Sequence, residues 1–362
     1  MPRVHGRVLL TLCLFAAAAI FTGGFVTFAP NRLARGVSYS LFEAPAPAAA
    51  LAIAGLGGLA LLSFVENGKL RSYAAIAASA LVVWSTLEAA GQFAARLMSP
   101  ALPAARASPG PAFWVLIAAL ILAIADALQR RKTGLFARLS LGAAFCSGFI
   151  LMAVMGSFDD LSLAREFKNH SSVFAREVLR HLGLAAATMF FALMASMPLT
   201  FLVLRRAAAA RLVFAALSIL QTIPSIALFG VLIAPLSKLS EELPFLREIG
   251  VTGTGPAPAL IALTLYALLP LVRAFYTGFA EVPPAVKDAA AGIGFGRREI
   301  FTSVELPLAM PALLSGLRTV TIQTIGLASV AALIGAGGLG TFIFQGIGQY
   351  APDLVLIGAI PV

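Results

Sequence analysis

Gly335, Gly337 and Gly340 satisfy G-x-G-x-x-G, the spacing that lets backbone amides approach a pyrophosphate at the start of a helix. That chemistry needs a preceding strand and an acid about 20 residues further on. Here the flanks are apolar and Asp353 comes too soon, so these glycines, with Gly338, are expected to serve close helix packing and a pliable gate segment. His170 and His181 have too few ligand types around them for a metal site, and solvated histidines are expected. Asp126 sits beside Arg130, Arg131 and Lys132 and should pair there. Glu88, an acid inside an apolar run, is open between a proton relay and a helix-packing hydrogen bond. Cys13 and Cys146 fall in apolar runs and read as buried small hydrophobes. No G-x-x-x-x-G-K-[ST] occurs, so the chain cannot itself hold ATP in a P-loop, and no serine–histidine–acid, H-E-x-x-H or paired-cysteine constellation is present. One polar stretch remains: Asp288-Ala289-Ala290, Gly294, then Val304-Glu305-Leu306-Pro307. Its small residues allow close approach by another surface. Gly294 and Gly296 should split it into two short helices, and Leu306-Pro307 should open the next span.

The elements that must hold these residues are membrane helices. The 362 residues are 60% hydrophobic and 12% charged, with mean hydropathy +0.94. A soluble chain carries about a quarter charged residues. Apolar windows of about 20 residues recur and do not alternate, which excludes a barrel and gives an all-α, polytopic integral membrane bundle. Spans are expected near 8–29, 46–65, 73–94, 112–128, 137–157, 183–204, 212–235, 256–278, 308–334 and from 341 onward, about nine or ten in all. The last is interrupted at Pro352-Asp353 and ends in an apolar run, so it reads either as incomplete or with Thr341–Gln349 as a re-entrant piece. Residues 8–30 read as a first span rather than a signal peptide.

The net charge of +10 sits mostly in short loops, as orientation signals do, and nucleic-acid binding is not expected. Arg3/Arg7, Lys69/Arg71, Arg130/Arg131/Lys132/Arg138, Arg205/Arg206/Arg211 and Lys287/Arg297/Arg298 mark one side. By the positive-inside rule that side is cytoplasmic, with the amino terminus and the 281–307 loop on it. Residues 158–182 read as an amphipathic helix on the outer surface. Residues 1–135, with four spans, form an accessory block, and 136–362 the working domain.

Pro224 should bend its span, with Thr222 and Ser225 able to re-satisfy freed backbone groups; the bend is open between a packing kink and a break lining a path. Tyr266, Pro270 and Gln323 could face the same path, and aromatic faces would suit a quaternary ammonium.

The Asp288–Pro307 stretch resembles the cytoplasmic EAA motif of ABC importer permeases: Glu-Ala-Ala, a glycine four residues after the second alanine, then Ile-x-Leu-Pro. Asp288 stands for Glu and Val304 for Ile. Gln221–Leu228, Leu265–Pro270, Val304–Leu308 and Ile334–Gly340 extend the resemblance to the osmoprotectant (glycine betaine, carnitine, choline) permeases, in a longer form with extra amino-terminal spans. Where that branch reads Arg-Asn-Thr, this chain has Arg273-Ala274-Phe275-Tyr276. The resemblance implies a MetI-like permease core in the bacterial cytoplasmic membrane. It also implies two partner ATPases carrying ATP and Mg, a second permease copy or paralogue, and an external binding protein. No catalytic residue, metal or cofactor is expected on this chain. Alternatives are a permease for an amino acid such as methionine, and an ion-coupled secondary transporter using Glu88.

Overall fold

A computed structural model describes residues 5–362 apart from 33, 67, 100, 103 and 131–133. The expected orientation charges Arg3, Arg131 and Lys132 lie outside the described residues. The residues cluster into two compact units, one ending at Asn169 and one beginning at His170, later than the expected division at 135/136.

The first unit contains α1 (Arg7–Thr22), α2 (Ala46–Leu62), α3 (Lys69–Leu97), α4 (Pro111–Arg130) and α5 (Leu135–Val154). On α1 the buried residues are Leu9, Cys13, Ala16 and Ile20, one stripe at helical spacing, and α1 packs on α4. Alanines recur among the larger apolar side chains of the core, as small residues do where membrane helices approach closely. Gly91, for example, lies directly on the Ser157 carbonyl. A feature absent from the all-α expectation is a small antiparallel sheet of β1 (Val26–Ala29), β2 (Val37–Tyr39) and β3 (Arg106–Pro109), in the order β2-β1-β3. Its strands β1 and β3 contact α3. On α5 no residue is buried, so Cys146 is exposed rather than packed; Cys13 is buried as expected.

The helix α6 (Ser162–Arg205) runs 44 residues without a break. At about 1.5 Å per residue it is roughly 66 Å long, twice a hydrocarbon core. The expected separate surface helix over 158–182 is therefore corrected: nothing between Ser162 and Leu182 terminates a helix, and Gly183 alone does not stop it.

The second unit is completed by α7 (Ala207–Thr222), α8 (Ser225–Glu242), α9 (Pro244–Glu248), α10 (Pro256–Ala280), α11 (Pro284–Gly292), α12 (Arg297–Ile300), α13 (Leu306–Ala328), α14 (Gly340–Gly348) and α15 (Pro352–Ala359). Its core helix is α10, which packs against α13, α7 and α8. The α10–α13 seam closes where Gly278 meets Ala309, Ala312 and Leu313, and where Gly316 meets Ala274.

Among the described residues six helices are long and apolar enough to cross a membrane, seven if a bent pair counts as one, beside two shorter apolar helices, α1 and α2. Two expected spans are interrupted where proline was expected to interrupt them. The 212–235 span is α7 plus α8, bent by 101° at the break. The stretch from 341 is two short helices, α14 and α15, divided where Pro352 cannot continue a helix.

Candidate coupling loop and translocation path

The 281–307 loop has the two short helices expected of it. Chain direction reverses at Gly294, whose φ is +96°. The Gly294 amide donates to the Ala291 carbonyl (3.0 Å) and Phe295 to Ala290 (3.1 Å), the paired bonds of a Schellman stop. Glycine is required here by backbone conformation, since no neighbour would touch an added Cβ. Gly296 then donates its amide to Glu299 Oε2 (2.8 Å) to begin α12. Asp288 and Ala289 face outward while Ala290 is buried.

Behind the loop, Phe301–Glu305 form a π-helical turn, with the Leu306 amide reaching the Phe301 carbonyl. Phe301 stacks on Phe279 (5.8 Å), and Phe201 closes the cluster from α6 at 5.8 and 5.9 Å. Val304 and Leu306 are half-buried and Pro307 is exposed at the root of α13. Lys287 of α11 pairs with Glu305 at 2.8 Å, tying the loop's two limbs together. Beside this pair lies a recess of about 650 Å³ whose lining includes Arg205, Tyr276, Arg297 and Phe301. The arrangement can present an outward helix face while its base is fixed to three long helices.

At the α7–α8 break Pro224 stands before the first turn of α8, and Ser225 opens that helix. The freed backbone groups are satisfied partly by Thr222, as expected, and partly from α10. Tyr266 donates its hydroxyl to the Ile223 carbonyl. Gln221 Nε2 in turn donates to the Tyr266 carbonyl (2.9 Å). That carbonyl has no helical partner, because the residue four further on is Pro270, which lacks an N–H. Thr222 fills the Ile219 carbonyl at 2.7 Å. The structure thus brings Tyr266 to the Thr222–Ser225 break as a brace, its ring buried, whereas Gln323 stands exposed on α13.

The glycine segment is bonded to α6 and packs against the end of α13. Gly335, Gly337 and Gly338 all have positive φ, and Gly340 begins α14 against the Ser329 carbonyl. The Gly338 amide donates to Glu177 Oε2 (2.8 Å). Glu177, 4% exposed, is held by Arg180 at 3.0 Å and Arg176 at 3.5 Å. One turn on, His181 is 2% exposed, which corrects the expected solvated histidine. Its Nε2 lies 3.0 Å from the Ile325 carbonyl; a carbonyl only accepts, so Nε2 carries the proton. That carbonyl is free because the Ser329 amide turns to Gly326 at the end of α13. His170 meets the Phe342 ring edge-on at 5.9 Å. Sequence reasoning missed Glu177 and His181. Their signal was a carboxylate and an imidazole four apart on one face.

The two acids expected inside spans are both bonded locally. Gln92, one turn on in α3, donates to Glu88 (2.9 Å), and Arg130 pairs with Asp126 (2.7 Å).

An apolar bundle of this kind, with a braced break and a short-helix loop carrying an EAA-like motif, defines a transport permease. Residues 188–362 match the family described as binding-protein-dependent transport system inner membrane component, and residues 4–164 match the ABC transporter permease YehY N-terminal domain. The osmoprotectant import permease OsmW of Salmonella typhimurium is 36% identical over 53% of this chain and 84% of its own length. The carnitine transport permease OpuCB of Listeria monocytogenes is 35% identical, over 51% and 77%. The choline transport system permease OpuBB of Bacillus subtilis is 35% identical, over 50% and 76%. A chain of the inward-facing methionine ABC transporter MetNI is similar with 25% identity and TM-score 0.45, over 53% of this chain and 89% of that one. The chain belongs to the binding-protein-dependent transport system inner membrane components, the permease subunits of ABC importers.

Proposed function

We propose that this permease carries a small osmoprotectant of quaternary-ammonium or betaine type across the bacterial cytoplasmic membrane. ATP and Mg are bound and hydrolysed on two partner ATPases, so the chemistry is not this chain's own. The substrate class is supported by the names of three relatives at 35–36% identity. The observation that carries the coupling is the outward face of Asp288 and Ala289 on α11, ended by the Gly294 stop and backed by the phenylalanine cluster. In this reading Asp288 and Ala289 dock in a groove of the ATPase, with Ala290 seating the helix from behind and Gly294 ending it, and Val304, Leu306 and Pro307 pass its movement into α13 as rigid-body motion.

The path then runs by the Thr222–Pro224–Ser225 break and Gln323, with Tyr266 holding the break open. The Gly335–Gly340 segment, latched by Glu177, serves as its gate. The amino terminus and the 281–307 loop face the cytoplasm. A second permease copy or paralogue completes the path, an external binding protein delivers the solute, and the unit ending at Asn169 is accessory. The test is uptake in proteoliposomes containing the permease, its ATPase and its binding protein. Glycine betaine, choline or carnitine should enter only with ATP inside the cytoplasmic compartment. Uptake of methionine but none of the three, or uptake on an ion gradient without ATP, would overturn the reading.

A further inference from the structure

We infer that a cavity beside the start of α6 in the first unit is an oxyanion site that takes a phosphate or carboxylate head group. The cavity measures about 220 Å³, and its polar lining is Arg32, Arg106, Ser162, Arg165, Glu166 and Asn169. Three parts of the chain converge there. Arg32 follows β1, and Arg106 begins β3, paired in register with Ala29. The remaining residues lie on the first two turns of α6.

Three guanidiniums and one carboxylate line the cavity. Arg32 and Arg106 both donate to one oxygen of Glu166, and Arg165 pairs with Asp160 at 2.9 Å. Two further observations point to a ligand. Ser162 is 2% exposed, lines the cavity, and its Oγ has no hydrogen-bond partner. A buried hydroxyl without a partner is destabilising, and an oxyanion in the cavity would accept its proton. Ser162 is also the first residue of a 44-residue helix, whose opening amides have no carbonyl within the helix and favour an anion. Phosphate and carboxylate both suit planar, charge-assisted donation by arginine. The source is either a free solute or the head group of an anionic phospholipid.

The test uses the full-length protein in detergent, stripped of lipid. Inorganic phosphate and acetate are titrated by calorimetry, and retained phosphatidylglycerol is read by native mass spectrometry. Saturable binding of a free ion identifies a solute site, and selective phosphatidylglycerol retention identifies a lipid head-group site; either supports the proposal. Arg165→Gln should weaken the binding roughly tenfold, as loss of a charge-assisted bond does. Ser162→Ala should weaken it several-fold, and Ser162→Asp, which places a carboxylate there, should abolish it. The Ser162 hydroxyl has no partner to lose and the Arg165–Asp160 pair is more than a third exposed, so Ser162→Ala and Arg165→Gln should melt close to the parent. Binding of none of the three probes, or binding indifferent to both Arg165→Gln and Ser162→Ala, would overturn the proposal.

Discussion

At Gly294 a single torsion decides whether the 281–307 loop turns. Space around it is open, so a side chain is opposed only by φ +96°, which costs an alanine about 1–2 kcal/mol. Asparagine tolerates that region better than alanine. Co-purification of the partner ATPase should therefore fall in the order Gly, Asn, Ala at position 294, with membrane insertion unchanged. Retention equal in all three would separate the turn from docking. Tyr266 offers a second test. Tyr266→Phe keeps the buried ring but leaves the Ile223 carbonyl without its donor, a loss of about 1–3 kcal/mol. A lower melting temperature with reduced uptake is expected. Unchanged uptake would mean that the break needs no brace.

Elements were legible in the sequence wherever a local rule specified them. Gly294 and Pro307 mark the two-helix loop by conformation alone, and long apolar windows mark α3, α4, α10 and α13. What escaped were contacts between distant positions: Gln221 on the Tyr266 carbonyl, and Glu177 on the Gly338 amide. No periodicity records them. The amphipathic stretch before Gly183 suggested a surface helix because hydropathy changes there, although no residue breaks the backbone. The α7–α10 brace is open to a double-mutant cycle. Pro270→Ala restores an amide to the Tyr266 carbonyl, so Gln221→Ala should cost less in that background than alone. The coupling should fall within about 0.5–3 kcal/mol by thermal melting. Additive effects would show that Pro270 does not create the need for Gln221.

At the scale of the whole chain, acid should loosen the first unit. Burial raises the Glu166 pKa, but hydrogen bonds and charge from Arg106 and Arg32 outweigh it and hold the carboxyl below its ordinary 4.5. Because the folded value is the lower one, the stabilisation is complete above 4.5 and is lost as pH falls through the folded value. Melting temperature should drop on acidification, and Glu166→Gln should be less stable at neutral pH while losing that part of the drop. Equal acid sensitivity in parent and variant would assign it elsewhere. The unbroken α6 also carries its own depth scale. Its outward residues change from Lys168 and Arg176 to Leu179, Phe190 and Met194. Positions 168 and 190 are about 33 Å apart along the axis, one hydrocarbon thickness. In a background with Cys13 and Cys146 replaced, single cysteines moved along this helix should react with a membrane-impermeant thiol reagent at 168 and stay silent at 190. The residue where labelling stops would mark the water line of the bilayer on the protein.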